Sequence, residues 1–518
     1  MKLENLISGK WTPGAADGRP LINPVTGETV AHADASGLDL AGAMAFAREK
    51  GGSALRSMSF AERGALLKAV ADVLSENRAR YEDIARINSG NTKVDASIDI
   101  DGGIGTLKYY ARLGKSLGDA TTVLETGQDQ LAKDPVFFSR HLWTSRPGVA
   151  LQINAFNFPS WGMWEKIAAA TIAGVPSMAK PATATAWLSH EMMRDVIAAN
   201  VVPAGAFNLV CGNGVGLLDA LGPMDSVAFT GSADTGSTIR SHPVVLSSGA
   251  RVTIEADSVN ATILAPDVAP GDALFDLAVR EAGKALSVKA GQLCTNIRRI
   301  LVPKGHLDAF SEAVVAAVSR FPVGDPADEA VRVGPLVNKR QQQDALEGIS
   351  RLGSEARVLT GGGIPAELDG AGAFVAPTLL ACNDPHGAEL VHSVEVFGPC
   401  ATVMPYDGIA DGLKIAANGG GSLALSLFSN DADARMQTAV GLGPWHGRIL
   451  MVDDETGRNH TGHSIVMPQC VHGGPGRAGG GEELGGLRGL RLHMQRSAIQ
   501  GSPSAFNGLA ERAAEAAL

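Results

Sequence analysis

From about residue 147 the chain alternates between short apolar runs and longer stretches with apolar residues at helical spacing. Residues 148–153 form one apolar run, 163–173 a helical stretch and 175–179 a second strand-like run. The following helix is marked by Leu188, Met192, Val196 and Ala199. Residues 207–210, a short helix at 215–221, the run 227–230, a helix opening near Ala233 and the run 251–255 continue the pattern. Glycine and proline stand at most of the joints. Such alternation predicts a parallel sheet with helices on its faces. Ligands bind these sheets outside the carboxyl ends of the strands.

A second block, about 258–475, repeats the mixed pattern with strand-like runs at 261–264 and 298–302 and helices at 273–287 and 306–320. Its later part is rich in glycine, at 418–421 and again at 473–489, which marks tight turns near a ligand or a mobile loop. Residues 136–143 read as an apolar strand isolated from both blocks. Such a strand needs an edge to pair with, and one on another subunit would serve. The Ala-rich tail, 507–518, reads as an exposed helix or a frayed end.

The 518 residues hold enough chain for two to four domains. With 44 Lys plus Arg against 54 Asp plus Glu, the net charge of −10 argues against a nucleic-acid partner. The first 15 residues carry Glu4 and Lys10 and no apolar block of the secretory kind. The charge-free run 196–218 is broken by Asn200, Pro203, Gly205 and Gly212, so no membrane partner is expected. The five cysteines form no C-x-x-C pair, which suits a reducing compartment; the expected location is the cytoplasm.

Cys294 stands in the loop Lys289–Ala290–Gly291–Gln292–Leu293–Cys294–Thr295, just ahead of a strand. A thiolate there is a nucleophile toward carbonyl carbon if a base and an oxyanion donor accompany it; otherwise the residue is a buried structural thiol. Glu255 ends the run 251–255, where a carboxylate points into the crevice and can act as a base. Asn157, in the loop after the first strand, offers an amide to a developing oxyanion, although turn asparagines before proline are ordinary. Phe229–Thr230–Gly231–Ser232 with Gly236, and Gly212–Asn213–Gly214, open helices after strands and favour phosphate. Neither is a G-x-G-x-x-G fingerprint. Lys180 ends a strand before Pro181. His460 and His463 have no Glu or Cys at ligand spacing, so they read as loop histidines and no metal is expected.

Taken in order, Phe156–Asn157–Phe158–Pro159, Lys180–Pro181–Ala182, Phe229–Thr230–Gly231–Ser232 with Gly236, Glu255, Gly291–Gln292–Leu293–Cys294, Glu395–Val396–Phe397–Gly398–Pro399 and Glu483–Leu484–Gly485 resemble the aldehyde dehydrogenase superfamily over nearly the whole chain. Within it the nearer resemblance is to the aldehyde dehydrogenase half of bifunctional phenylacetate ring-cleavage proteins and to stand-alone semialdehyde dehydrogenases of aerobic benzoyl-CoA degradation. That likeness rests on residues 154–159, 228–236, 255–258 and 472–481. The length favours the stand-alone form.

The resemblance implies an α/β fold of two Rossmann-like domains plus a small β oligomerisation element. It divides the chain into residues 1–125 and 147–257 for cofactor binding, 258–475 for catalysis, and 126–146 with 476–518 for assembly into at least a homodimer. It implies that Cys294 attacks the aldehyde, that Asn157 and the Cys294 N–H hold the oxyanion of the thiohemiacetal, and that Glu255 activates water against the resulting thioester. Glu395, Phe397 and Lys180 would hold the cofactor, with Thr183, Gly212, Gly231, Ser232 and Gly236 beside it, and Glu483 would relay protons. Thr183 stands where NAD-preferring relatives usually carry Glu, so NADP is expected over NAD. The motif at the base reads Glu255–Ala256–Asp257–Ser258–Val259 in place of Glu-Leu-Gly-Gly-Lys. His472 replaces an aromatic residue and makes the aldehyde tunnel more polar. The implied substrate is a CoA-linked semialdehyde, 3,4-dehydroadipyl-CoA semialdehyde. A general medium- to long-chain aldehyde dehydrogenase, a CoA-acylating enzyme and an inactive scaffold stand as alternatives; Glu255 argues against the second.

Overall fold

The computed structural model describes residues 1–368, 370 and 372–517. The alternation after residue 147 builds a seven-stranded sheet in the order Arg251–Glu255, Ser226–Thr230, Ala150–Ile153, Ser177–Lys180, Phe207–Leu209, Asn5–Ile7 and Lys10–Thr12. The first five strands are parallel, and the N-terminal pair continues the sheet antiparallel. Leu151, Met178, Leu209 and Val227 are buried, as expected where helices cover both faces of a sheet. The predicted short helix at 215–221 is instead a run of turns over 215–220. Gly216, at φ +95°, breaks the stretch at its second residue and Gly222 follows the stretch directly, so too few residues remain between them to nucleate a stable helix.

A second seven-stranded sheet runs Arg357–Thr360, Thr378–Ala381, Cys400–Tyr406, Arg299–Pro303, Ala261–Leu264, Ser422–Phe428 and His446–Val452, parallel except at its first strand. The two sheets meet the cleft with opposite ends. The first supplies the carboxyl ends of its strands, at Ile153, Lys180, Thr230 and Glu255. The second supplies segments that precede its strands: Ser258 and Asn260, Cys294, and Glu395 with Phe397.

The apolar stretch at 136–143 falls in the strand Phe138–Ser145, which pairs along its whole length with Met494–Gly501 of the same chain and also with Val123–Glu125. Its edge partner is therefore intramolecular; a pairing across some 350 residues of sequence leaves no local signal. The tail is likewise more ordered than expected. Helix Pro503–Ala510 is followed by the strand Ala514–Ala516, which pairs parallel with Val123–Glu125; Leu518 lies outside the described residues. The divide expected at 475/476 falls inside a hairpin, because Val471–Gly473 pairs with Glu482–Leu484. Among the described residues no helix is long and apolar enough to cross a membrane.

Helices Phe60–Glu76 and Lys93–Leu117 pack beside Trp161–Ile172, whose residues are buried from Met163 to Ile172. Asp99, fully buried, accepts the N–H groups of Ser160 (3.3 Å) and Trp161 (2.8 Å) and so caps the start of that helix. Gly102 lets the indole of Trp161 lie against Lys93–Leu117; a Cβ there would stand 2.1 Å from the ring.

Candidate active site

Three successive residues, Lys289 (φ 50°), Ala290 (φ 49°) and Gly291 (φ 70°), turn the chain left-handed just before Cys294. A left-handed conformation costs an L-residue about 1–2 kcal/mol, so the surroundings must enforce it at Lys289 and Ala290. Asp95 accepts the Lys289 N–H at 2.7 Å. Arg298 donates to the carbonyls of Gly291 (3.1 Å), Leu293 (3.2 Å) and Gly398 (2.8 Å). Asn260 Nδ2 holds the Cys294 carbonyl at 2.8 Å. A Cβ on Gly291 would stand 2.1 Å from the Gly398 oxygen, so only glycine fits. The half-buried Cys294 is thereby fixed between a cofactor-sized cleft and a narrow tunnel, and it lines both.

Glu255 and His472 close on it. His472 Nε2 donates to Glu255 Oε2 at 2.7 Å, both side chains are buried, and these groups lie within 4.8 Å of the Cys294 sulfur. Burial raises the Glu255 carboxyl, but the His472 imidazolium, its hydrogen bond and Lys166 overrule it and bring the group to about 2. His472 is raised in turn: burial opposes its charge and Glu255 outweighs burial. The Cys294 thiol is pushed well up by burial and by the Glu255 carboxylate. These shifts favour a charged Glu255–His472 pair and a protonated Cys294 thiol. These three groups are near enough to ligate an ion, yet two of them are already joined by a direct charge-assisted hydrogen bond.

Asn157 Nδ2 donates one proton to the Gln292 carbonyl at 3.0 Å, which orients the amide and leaves its second N–H for the tunnel. The Cys294 N–H has no acceptor in the chain among the described residues. Behind Glu255, Lys166 Nζ contacts Glu483 (2.9 Å), Glu165 (3.5 Å) and Thr230 Oγ1 (3.0 Å). Burial pushes the Glu165 carboxyl up to about 7, with Lys166 and His472 holding it down. Glu165 and Lys166 were missed in the sequence. Their signal is two adjacent charges inside Trp161–Ile172, an otherwise nearly charge-free helix. His472 was placed in the tunnel wall, and it lines the tunnel; its grip on Glu255 was not foreseen.

The cofactor-sized cleft, about 960 Å³, is lined by Lys180, Thr183, Gly231, Ser232, Glu395 and Phe397 among others. Lys180 is lowered mainly by burial, and its charged or polarisable neighbours are Cys211 and Arg19, with no carboxylate among them. Ser232 Oγ caps the helix Ala233–Arg240, and Asp257 accepts the Ala233 N–H at 3.1 Å. Glu395 accepts the Ser258 N–H at 3.0 Å; burial pushes it up to about 7 against the pull of Arg298, 3.7 Å away. Phe397 packs edge-on to Phe156 at 5.6 Å. Gly212 and Gly236 do not line this cleft. Gly212 accepts the Thr183 hydroxyl at 3.3 Å, and Gly236 lets its helix close on Ile254, 3.0 Å from an added Cβ. His460 and His463 diverge. His463 is buried with Nδ1 on Ser426 Oγ at 2.8 Å, whereas His460 Nδ1 accepts the Gly462 N–H.

Residues 11–461 match the aldehyde dehydrogenase family. A 3,4-dehydroadipyl-CoA semialdehyde dehydrogenase of Aromatoleum evansii is 49% identical over 479 residues, 92% of this chain and 93% of that protein. Aldehyde dehydrogenase 1A1 of Rattus norvegicus is 29% identical over 92% of this chain and 91% of its own length. The fold is shared with PnpE, solved in complex with nicotinamide adenine dinucleotide, at a TM-score of 0.82, 23% identity and coverage of 97% and 98%. The chain belongs to the aldehyde dehydrogenase family, oxidoreductases that act on aldehydes.

Proposed function

We propose that the protein oxidises a CoA-linked semialdehyde of the 3,4-dehydroadipyl-CoA semialdehyde type to its carboxylic acid, with NADP preferred over NAD and water as the acyl acceptor. One observation carries this reading: Cys294, Glu255 and Asn157 converge where the large cleft meets the tunnel. The identity to the Aromatoleum evansii enzyme supports the substrate class.

The cleft fits a nicotinamide dinucleotide. Its volume lies in the range of ligand sites, Glu395 Oε1 is buried without a hydrogen-bond partner, and among the described residues no carboxylate pairs with Lys180. Lys180 and Thr183 would hold the adenosine side, where the absence of a carboxylate accommodates a 2′-phosphate. Gly231 and Ser232 would sit by the phosphates, with Glu395 and Phe397 on the nicotinamide ribose side. When bound, the nicotinamide supplies the hydride acceptor.

In this reading Glu255 takes the Cys294 proton as the sulfur bonds the aldehyde carbon. The oxyanion that forms meets the free Asn157 N–H and the Cys294 N–H; such a donor is worth roughly 10²–10³ in rate. Once the carbon is oxidised, Cys294 holds it as a thioester. That first proton leaves Glu255 before hydrolysis; Glu255 then draws a proton from water as it attacks, the C–S bond breaks and this proton passes to the sulfur, restoring the thiol. His472, Lys166, Glu165 and Glu483 form the buried charge chain through which the proton leaves. A base at this position favours water over CoA as acceptor. The same reading assigns 1–125 and 147–257 to cofactor binding, 258–475 to catalysis, and the segments 126–146 and 476–518 to assembly of a homodimer.

The test follows NADPH formation from hexanal, wild type beside Cys294→Ala, and identifies the product with and without added CoA. Wild type should yield NADPH and hexanoate in both cases, and the variant neither. Hexanoyl-CoA formed only with added CoA would favour the acylating alternative.

A further inference from the structure

The tunnel at Cys294 encloses only about 50 Å³ between Phe158, Trp161, Val466 and the catalytic groups, space for an aldehyde chain and little else. It shares Asn154, Asn157, Thr230, Glu255 and Cys294 with the cofactor cleft, so that end is committed. Past Ser464 lies another cleft of about 910 Å³, built from the start of Lys93–Leu117, residues 284–296, the loop 326–332 and residues 461–465. Ser464 belongs to both walls. Its carbonyl accepts the Thr295 hydroxyl at 2.8 Å and so forms the lip between the two spaces. Nothing in the reaction at Cys294 uses this space.

We propose that this cleft seats the coenzyme A portion of the substrate, with the pantetheine arm along its apolar throat and the phosphorylated adenosine at its rim. The inference rests on the CoA-linked substrate reading above. The throat is lined by Val94, Ile98, Val288, Leu293 and Ile465. Val94 is 54% exposed, an apolar side chain presented to solvent that a pantetheine arm would cover.

The rim's charges are mostly spent on one another. Glu82 pairs with Arg78 at 2.7 Å, Asp83 with Arg86 at 3.4 Å, and Glu281 with Lys284 at 2.6 Å. Asp95 is buried in the capping box of Thr92. Lys93 and Arg332 have no acidic partner among the described residues, and they are the cations left for phosphate. Asp328, whose carboxylate accepts the Ala330 N–H at 2.9 Å, and Glu329 share the loop with Arg332. The lining carries six acids against four bases, a slight acidic excess. Recognition must come from packing in the throat and from local phosphate contacts, not from long-range attraction.

The experiment compares 6-oxohexanoyl-CoA with hexanal under saturating NADP, in wild type and in Lys93→Glu/Arg332→Glu, with acetyl-CoA as a competitor that carries neither aldehyde nor free thiol. Wild type should show a KM at least about tenfold lower for the conjugate, and acetyl-CoA should compete with it. In the variant, the conjugate KM and the acetyl-CoA inhibition constant should each rise about tenfold or more, while hexanal kinetics stay unchanged and report an intact fold. A Val94→Asp variant, which places a charge in the throat, should act in the same direction. Wild-type preference for the conjugate with no change in any variant overturns the cleft assignment and leaves the substrate reading standing. No preference for the conjugate and no competition by acetyl-CoA in the wild type overturns the substrate reading, and the cleft assignment with it.

Discussion

Three buried glutamates within one site are set to different strengths by what lies against them. Glu255 is brought to about 2 by the His472 imidazolium and Lys166 despite its burial, whereas burial takes Glu165 and Glu395 up to about 7. A carboxylate at about 2 is a weak base, so His472 gates the role assigned to Glu255. The sign follows from the pair. His472 is raised above 6.5; below that raised value it is charged and depresses Glu255, and as pH climbs through it the charge is lost and Glu255 becomes the stronger base. Wild-type kcat should therefore rise from pH 6 to 9. In His472→Asn the ratio of kcat at pH 9 to that at pH 6 should flatten, whatever the overall loss of activity. An unchanged ratio would separate His472 from the base. Cys294, Glu255 and Asn157, which the fold brings together, were legible as candidates because they sit in short motifs. Lys166 and Glu165 were not, since a buried charge shows only through neighbours that folding brings to it.

At the scale of elements, the parallel strands after residue 147 were legible because strands buried on both faces read as unbroken apolar runs. The strand Ala514–Ala516 and the turns at 215–220 were not. The first depends on a partner, Val123–Glu125, nearly 400 residues away, and the second on glycines that break a plausible apolar spacing. The proposed cofactor choice rests on the joint from Ser177–Lys180 into the turn Thr183–Thr185, where the strand's carboxyl end delivers Lys180 and the turn delivers Thr183 to the cleft. Thr183→Glu should place a carboxylate beside Lys180, accept ribose hydroxyls and repel a 2′-phosphate. The expected result is a fall of about tenfold or more in kcat/KM for NADP and a rise for NAD, measured with the same aldehyde. Unchanged kcat/KM for both cofactors would remove this joint from the basis of cofactor choice.

The whole molecule joins two sheets of opposite presentation. One offers strand carboxyl ends, which carry Lys180, Thr230 and Glu255; the other offers loops ahead of its strands, which carry Cys294, Glu395 and Phe397. Neither sheet alone holds both Cys294 and Glu255, the nucleophile and base of the proposed reaction, so that pair forms only at their junction. That division could not be read from composition or periodicity, which show each sheet separately. In the proposed reaction this junction serves two stages: addition of Cys294 to the aldehyde and its oxidation to a thioester, then release of the acid by water under Glu255. The most direct test is the stoichiometry of Glu255→Gln mixed with excess NADP and hexanal. Removing the Glu255 charge also removes one cause of the raised Cys294 thiol, so the first stage still proceeds, more slowly, from a thiolate that loses its proton to solvent. Turnover should then stop near one NADPH per site, and intact-protein and peptide masses should show a hexanoyl group retained on Cys294. Sustained turnover at the wild-type rate with no acyl group on Cys294 would contradict the account.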